Sequence, residues 1–384
     1  MAAKFKYIDS FSDGAFHEVF NSSSLKMFAN IYPHVEYYAG KKSMSCVEHI
    51  LGGSLPGNVS YHRLFHTVLK GSLGNFLSYL LSTIQNIMIA IFATKGTVLF
   101  YNYNSLWGLK TINCIARRRP GIKIVQMCHG ELEILRLGIK INPITTAALR
   151  WLKDENFKPA DNFRFCVLGD AIKSNLKGVV ADNLLDNFIT FEHTYVSRPE
   201  KNCGVPETLA HDDSVKVGYV GAIEERKGLN NYLALRGLVD SRVKFFAIGR
   251  MLTDPGVLDA ARIEYVPGYK NGTFLPKETM DAYINAMDII VFLYPEHSYK
   301  LTASGAIFDA IDHAKTVFSL HNSYFDSVFA RAEIGRQFDS IEDMAKAIEA
   351  YQRGDIDLSD AQYKFSPEYE AKVFGEKLQK LGLR

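Results

Sequence analysis

The sequence predicts an α/β protein made of two doubly wound units, each with a mostly parallel sheet. Three observations predict this fold class. Short apolar strands alternate with helical segments along the chain. The length of 384 residues is large for one domain. Two strand–glycine–helix segments in the second half, starting at Val215 and Lys300, have the pattern of phosphate-binding turns.

The first half predicts alternating strands and helices. Strands are expected at 4–9, 34–40, 96–104, 122–127, 164–168 and 187–191. Helices are expected after the turn at 11–14, from about His62, over the uncharged segment 75–94, at 105–120, within 131–158 and after Gly169. The segment 41–57 is polar and rich in turn residues, so it predicts a loop.

The second half predicts another unit of the same kind. Residues 196–213 contain two prolines and little periodicity, and predict a linker. Strands follow at 215–220, 243–248, 262–266, 288–293 and 316–320. The domains are therefore 1–195 and 214–366, and the amphipathic helix at 367–384 is expected to pack back on the N-terminal domain.

Composition excludes several classes of protein. A net charge of +2 gives no reason to expect nucleic acid as a partner, and 47% hydrophobic residues are typical of a globular protein. The five cysteines are scattered and lack metal-ligand spacing, which favours a reduced, cytoplasmic location. The first nine residues have no apolar signal core and predict a strand.

One segment raises the question of a membrane, because no charged residue lies between Lys70 and Lys95. Ser78, Ser82, Gln85 and Asn86 form a polar stripe at helical spacing. This stripe favours a helix that is buried or docked on the protein, and membrane insertion is the alternative. The arginine run at 117–119 predicts a helix end. With Lys110 and Lys123, it also suits anionic lipid.

The two glycine turns provide the candidate phosphate site. A helix N-terminus offers free backbone N–H groups and the positive end of the helix dipole, and both attract anions. Two such turns suit a diphosphate. The candidate residues are Gly221, Arg226, Lys227, Lys300, Ser304 and Gly305. The alternatives are a solvated basic turn and a helix capped by Ser304.

The first half supplies candidate residues at the ends of strands. His129 and Glu131 follow an apolar strand, and Asp13, Gly14 and His17 follow the first strand. The carboxyl ends of parallel strands form the ligand-binding edge of an open sheet. Glu131 is therefore a candidate general base, with a first-turn helix acid as its alternative. Asp13, Gly14 and His17 are candidate acceptor contacts.

The motifs of the second half resemble glycosyltransferase family 4 over about 150 residues, within the range of one domain. The similar segments are YVGAIEERKG, FAIGR, EYVPGYKNGTFLPKETMDAYINAMDIIVFLYP and TASGAIFDAIDHAKTVFSL. The first half is similar more loosely, through its early glycine turn and the strand that leads to HGE. The resemblance implies the GT-B fold, in which two Rossmann-like domains face a central cleft.

The resemblance also implies residue roles. Arg250 and Tyr269 would line the base and diphosphate pocket, Asp309 would accept from the ribose, and His129 would face the donor sugar. Two positions depart from the family pattern: Ala222 stands where arginine is usual, and Leu301 stands where the first glutamate is usual. Arg226 or Lys227 would supply the missing charge, and the usual retaining outcome does not carry over.

The expected function is a hexosyltransferase-like glycosyltransferase of polysaccharide biosynthesis. It would use a nucleotide-diphosphate sugar, with UDP or GDP as the nucleotide, and a glycan or lipid-linked acceptor at the inner membrane face. No metal or cofactor is expected, and the DxD-like Asp355–Asp357 lies away from the nucleotide motifs. The alternatives are a nucleotide-sugar 2-epimerase of the same fold and a degenerate binding protein.

Overall fold

A computed structural model describes residues 4–69, 71–103, 105–138, 143–267, 275–354 and 357–384. The chain divides into two compact units. The first comprises Met1–Val196, Leu301–Ala303 and Phe365–Arg384, and the second comprises Ser197–Lys300 and Ser304–Lys364.

Within the described residues, the first unit is built on a seven-stranded parallel sheet in the order β3-β2-β1-β4-β5-β6-β7. The strands are β1 Lys4–Asp9, β2 Val35–Gly40, β3 Val59–Leu64, β4 Thr97–Tyr103, β5 Lys123–Met127, β6 Phe163–Leu168 and β7 Phe188–Phe191. The helices are α1 Glu18–Ile31, α2 Lys41–Ile50, α3 Gly71–Phe92, α4 Leu109–Arg118, α5 Glu131–Leu137, α6 Pro143–Arg150 and α7 Asp170–Ser174.

The second unit contains, in its described part, a six-stranded parallel sheet in the order β10-β9-β8-β11-β12-β13. Its strands are β8 Lys216–Val220, β9 Lys244–Gly249, β10 Glu264–Pro267, β11 Ile289–Phe292, β12 Thr316–Leu320 and β13 Gly335–Phe338. Its helices are α8 Glu207–Ala210, α9 Leu229–Leu238, α10 Gly256–Ala260, α11 Lys277–Ala286, α12 Ala306–Asp312, α13 Ser323–Arg331, α14 Ile341–Glu349 and α15 Ser359–Lys364.

The last helix, α16 Pro367–Lys380, belongs to the first unit. Ser366 caps it by accepting from the Tyr369 N–H, and Pro367 occupies its first turn. Phe374 is fully buried, and its ring centroid lies 5.0 Å from that of Phe191. The C-terminal residues therefore complete the core that the N-terminal residues begin.

Both sheets have buried aromatic cores. In the first unit, the ring centroids of Phe28 and Phe100 are 4.7 Å apart, and both side chains are buried. In the second unit, the hydroxyl of the buried Tyr232 donates to the Phe246 carbonyl oxygen at 2.8 Å, and the Val217 carbonyl oxygen lies 3.1 Å away. This ring fills space between α9 and the sheet while its polar end stays satisfied.

Two expectations for local structure were wrong. Residues 41–50 form a helix because Ser43, Val47 and Ile50 repeat at helical spacing and are buried. Residues 59–64 form a parallel edge strand beside β2, although a helix was expected from about His62. The predicted linker contains α8, and the short strand β13 was not predicted.

The long uncharged segment forms α3, as predicted, and its polar stripe faces the rest of the unit. Its buried residues are the small and polar Gly74, Ser82, Asn86 and Ala90. Its large apolar side chains are mostly exposed. Of the helices described, α3 is long and apolar enough to cross a membrane by length and composition alone. Ser82 contacts Ser10 and Ser105, and Gln85 pairs with the backbone of Phe65, so hydrogen bonds hold the polar stripe against its own unit.

Candidate functional site

The second unit positions its candidate phosphate turn at the carboxyl end of β8. Gly221 ends the strand with φ 106°, a left-handed conformation that only glycine adopts without strain. Its N–H donates to the Ile248 carbonyl at 2.9 Å, and its own carbonyl accepts from the Arg250 N–H at 3.1 Å. Gly249 must also be glycine, because a Cβ there would lie 2.0 Å from the Gly221 carbonyl oxygen. The turn is therefore fixed by β9.

Lys227 brings a positive charge to this turn. A Cβ on Gly221 would lie 3.5 Å from Lys227 Nζ and 3.6 Å from the Cβ of Ala306, the first residue of α12. The ammonium group also lies 5.6 Å from the ring centroid of Tyr294 and 5.5 Å from that of Tyr299. These aromatic faces hold the cation near the glycine turn without neutralising it.

Ser304 is buried, and its hydroxyl is 2.9 Å from the hydroxyl of Tyr294. The helix α12 begins at Ala306 after the exposed Gly305, without a side-chain cap at its N-terminus. The alternative of Ser304 as a helix cap is therefore wrong. Ser304 instead tethers the start of α12 to Tyr294 beyond the end of β11.

The other predicted donor residues lie in different surroundings. Arg226 is exposed, with its guanidinium 5.8 Å from the centroid of Tyr299, and Arg250 is exposed next to the Gly221 turn. Lys300 Nζ is 3.7 Å from a carboxylate oxygen of Glu296. Tyr269 lies outside the described residues, as do two residues of the DxD-like segment.

Asp309 is part of a buried ion-pair network. Its Oδ1 accepts from Arg198 Nη1 at 2.8 Å, and Arg198 also donates to both carboxylate oxygens of Asp281. His313 Nε2 lies 3.2 Å from Asp281 Oδ1. This network anchors the chain at Arg198, where a linker was predicted. The predicted role of Asp309 toward a ribose stays a prediction.

The first unit gathers its candidate residues at the carboxyl ends of β1, β4 and β5. The ring centroids of His17 and His129 are 4.9 Å apart, and each ring also packs against Tyr103. His17 has φ 58°, an uncommon conformation for a residue with a side chain. The described structure thus brings His17 and His129 together. The uncommon backbone conformation of His17 persists because its surroundings hold it.

Both imidazoles are neutral near pH 7. Burial lowers the pKa of His17 to about 4. Burial, reinforced by the nearby His17, holds the pKa of His129 well below its usual range. His129 Nε2 is 2.8 Å from the Asn102 carbonyl oxygen, which can only accept, so Nε2 carries the proton. Nδ1 of the neutral ring is then an acceptor.

Glu131 begins α5, and its Oε2 accepts from the His129 N–H at 2.6 Å. Burial raises the pKa of the Glu131 carboxyl from 4.5 to about 7. A carboxyl with that pKa exchanges protons readily at neutral pH. Glu131 therefore has the protonation behaviour that a general base requires.

The loop after β1 carries the predicted acceptor residues. Asp9 holds this loop by accepting from the Ser12 N–H at 3.1 Å and from Asn21 Nδ2 at 2.6 Å. Asp13 is exposed and lies 3.4 Å from Lys42 Nζ. Gly14 has φ 62°, so the loop turns sharply before His17. Their predicted contacts with an acceptor stay predictions.

Several site residues were missed by sequence reasoning. Tyr103 and Asn102 end β4 beside His129, and Tyr294 and Tyr299 surround Lys227. The sequence signal for them was their position at the ends of apolar strands or in the segment that follows. Leu301, which stands where the resembled family has a glutamate, donates its N–H to Glu133 Oε2 at 2.8 Å.

In the described part of the chain, no group of three His, Cys, Asp or Glu is placed to hold a metal ion.

The whole chain is similar to solved structures of GT-B glycosyltransferases. Sucrose-phosphate synthase from Thermosynechococcus elongatus matches with a TM-score of 0.63 and 14% identity, over 99% of both chains. HepE from Anabaena, in complex with UDP and glucose, matches at 0.60 and 13% identity, over 98% of both. The lipopolysaccharide outer core galactosyltransferase WaaB matches at 0.60 and 12% identity, over 99% of both.

This chain has the GT-B fold, with two parallel-sheet α/β domains, and the predicted fold class is confirmed. No protein-family profile matches the sequence, and no curated protein matches it either. Membership of glycosyltransferase family 4 therefore stays a prediction. At 12–14% identity these similarities establish the fold, and the chemistry must be argued from the residues.

Proposed function

We propose that this protein transfers a hexose from a nucleotide-diphosphate sugar to a hydroxyl of a glycan or lipid-linked glycan. The observation that carries the proposal is the approach of Lys227 to the Gly221 turn and the start of α12. Two of the solved GT-B structures are HepE with UDP and HepE with UDP-glucose. UDP is accordingly the first nucleotide to test and GDP the second.

The second unit would bind the donor through its diphosphate. The ammonium of Lys227 offers hydrogen bonds and positive charge beside the Gly221 turn, and the exposed Arg226 adds a second cation. Negative charge grows on the diphosphate as the sugar leaves, so fixed cations favour the transition state. This mechanism uses no metal or cofactor, and EDTA should leave the transfer rate unchanged.

The first unit would bind the acceptor and activate its hydroxyl. Glu131 would take the hydroxyl proton while the acceptor oxygen bonds to the anomeric carbon and the bond from that carbon to the diphosphate breaks. The nucleoside diphosphate leaves with the bonding electrons. Neutral His129 would orient a hydroxyl by accepting at Nδ1, with the loop at Asp13, Gly14 and His17 as the acceptor contact. Inversion at the anomeric carbon follows from a direct displacement.

Ligand-dependent thermal stability tests the donor site. Wild type and Lys227→Ala would be melted with UDP, GDP, CDP, ADP and dTDP, since a ligand that binds only the folded state raises the Tm. We expect one diphosphate to raise the Tm of wild type and to have little effect on Lys227→Ala. Lys346→Ala removes an exposed lysine on α14 of the same unit and should respond like wild type.

Two outcomes would contradict the proposal. If no diphosphate shifts the Tm of wild type, the donor site does not exist. If a diphosphate binds but UDP-sugars or GDP-sugars never release nucleotide in the presence of acceptor glycans, the protein is a binding protein. In the expected case, Glu131→Gln lowers nucleotide release about 10²–10⁴-fold and leaves the Tm shift intact.

A further inference from the structure

The helix α3 has its apolar side toward solvent. Leu73, Phe76, Leu80, Ile84 and Ile91 follow one another at helical spacing, and all are exposed. A soluble amphipathic helix shows the opposite arrangement, with its apolar stripe facing the core. A contiguous apolar surface of this kind is typical of an interaction site.

The inner side of α3 is fixed by polar contacts. The Ser82 hydroxyl lies 2.7 Å from the Ser10 hydroxyl and accepts from the Ser105 N–H at 3.0 Å. The Asn86 carbonyl accepts from the hydroxyl of Tyr101 at 2.9 Å. These bonds tie α3 to the loops and strands of its own unit. The apolar face is therefore a permanent feature of the folded unit.

The apolar surface continues into the segment before α3. Phe65, Val68 and Leu69 are exposed there, and Phe65 is 68% exposed. The Gln85 side chain pairs with both the N–H and the carbonyl of Phe65, at 2.7 Å and 3.0 Å. Because Gln85 lies on α3, this pairing holds the segment beside the helix. Together they form what we call the α3 surface, which comprises Phe65, Val68, Leu69, Leu73, Phe76, Leu80, Ile84, Met88, Ile91 and Phe92.

The stretch of sequence that contains the α3 surface carries charge of one sign. The sequence contains no aspartate or glutamate between Glu48 and Glu131, whereas this stretch holds four lysines and four arginines. Of those that the structure describes, five are exposed: Arg63, Lys95, Lys110, Arg117 and Arg118. Arg119 donates to the carbonyl oxygens of Ala90, Ile91 and Ala93, which places the arginine run at the C-terminal end of α3.

We propose that the α3 surface docks the protein on a membrane that contains anionic lipid. The apolar side chains would enter the boundary between headgroups and acyl chains, and the cations would meet lipid phosphates. The helix would lie in the plane of the interface, because crossing the bilayer would break the bonds from its inner side and bury polar groups in hydrocarbon. A second copy of the chain would present the same positive charge, so like charges disfavour self-association.

Docking would extend the proposed function. Membrane binding itself does not depend on that function, but its connection to a lipid-linked acceptor rests on it. The polar side of α3 contacts Ser10 in the same loop that carries Asp13, Gly14 and His17. A unit fixed to the bilayer through α3 would hold this loop at a constant height above the lipid. That arrangement favours an acceptor sugar carried on a lipid.

Vesicle flotation with the full-length protein tests the docking. Vesicles of phosphatidylcholine alone would be compared with vesicles that also contain phosphatidylglycerol. We expect wild type to float with the anionic vesicles and to be released as salt rises, since salt screens charge attraction. The double variant Ile84→Glu, Ile91→Glu should bind at least about tenfold more weakly, because it puts two charges on the inserted face.

Matched controls separate docking from general effects. Leu238→Glu changes a similarly exposed leucine on α9 of the second unit and should float like wild type. Lys95→Glu with Arg118→Glu should reduce binding to anionic vesicles, while Arg242→Glu in the second unit should not. The Tm shift with nucleoside diphosphate should be unchanged in all four variants, so failure of docking and failure of the donor site are distinguishable.

Three results would overturn the proposal. The first is that wild type fails to float with anionic vesicles. The second is that it floats equally well with neutral vesicles. The third is that it sediments as a dimer, which the double variant converts to a monomer. The last result would assign the α3 surface to a second copy of this chain.

Discussion

Glu131 owes its pKa to its surroundings in the first unit. Burial raises that pKa to about 7 from 4.5, so the folded state holds a proton that the unfolded state releases between these values. Stability therefore falls as pH rises from about 4.5 to 7, and the cost is complete above pH 7. The ionised Glu131 carboxylate, the proposed general base, therefore destabilises the fold at neutral pH.

This linkage gives a prediction for Glu131→Gln. Glutamine carries no charge to desolvate and can still accept from the His129 N–H. At pH 8 we expect the free energy of unfolding of the variant to exceed that of wild type by up to about 3 kcal/mol, so the variant should unfold at a higher urea concentration. Near pH 4 the two proteins should be equally stable. Urea unfolding at the two pH values measures the difference.

Glu376→Gln is the control, because Glu376 is exposed on α16 in the same unit. Its stability should follow that of wild type at both pH values. Equal stability of Glu131→Gln and wild type at pH 8 would mean that the Glu131 carboxylate is well solvated, and would contradict its proposed role as a base tuned to neutral pH.

At the scale of elements, the Gly221 turn depends on the close approach of β8 and β9. Gly249 has φ 139°, and a Cβ there would clash with the Gly221 carbonyl oxygen at 2.0 Å. The ends of β8 and β9 therefore touch at these two glycines, and this contact shapes the candidate phosphate turn. The sequence FAIGR contains this glycine, but the carbonyl that requires it lies about 28 residues earlier, a separation only the folded sheet brings together.

Gly249→Ala should therefore destabilise the second unit by at least about 2 kcal/mol and abolish the Tm shift with nucleoside diphosphate. Gly237→Ala is the matched change, since Gly237 lies in α9 with no heavy atom within 4 Å of a Cβ. This variant should be more stable than wild type by up to about 1 kcal/mol, because alanine has a higher helix propensity than glycine. Equal behaviour of the two variants in calorimetry would contradict the proposed geometry of the turn.

At the scale of the whole molecule, the first unit is closed by residues from the other end of the chain. Phe374 on α16 is fully buried and packs near Phe28 and Phe191. Removing a buried aromatic ring leaves a cavity whose cost is about 3–5 kcal/mol. The stability of the N-terminal sheet therefore depends on the C-terminal helix.

We expect Phe374→Ala to destabilise the first unit selectively. Hydrogen exchange followed by mass spectrometry should show faster exchange in β1 and β4, and unchanged exchange in β8 and β9. Leu381→Ala changes an exposed side chain just beyond α16 and should leave both patterns as in wild type. Faster exchange in the second unit alone would contradict this assignment of α16.

The fold class and most strands could be predicted from the sequence because buried parallel strands are short apolar runs, and their alternation with helices leaves few topologies. The glycine turns and the polar residues at strand ends were recognisable because they directly follow these apolar runs. The strand 59–64 was missed, because a half-buried edge strand lacks the apolar run that identifies buried strands.

What only the tertiary structure decided concerns groups that are distant in sequence. Lys227 beside Gly221 and α12, Glu131 with its raised pKa, and the pairing of Asp309 with Arg198 all depend on neighbours that local pattern does not specify. The same holds for α3. Its periodicity predicted two faces, but which face turns inward depends on hydrogen-bond partners such as Ser10 and Tyr101, which the fold brings to it from other strands.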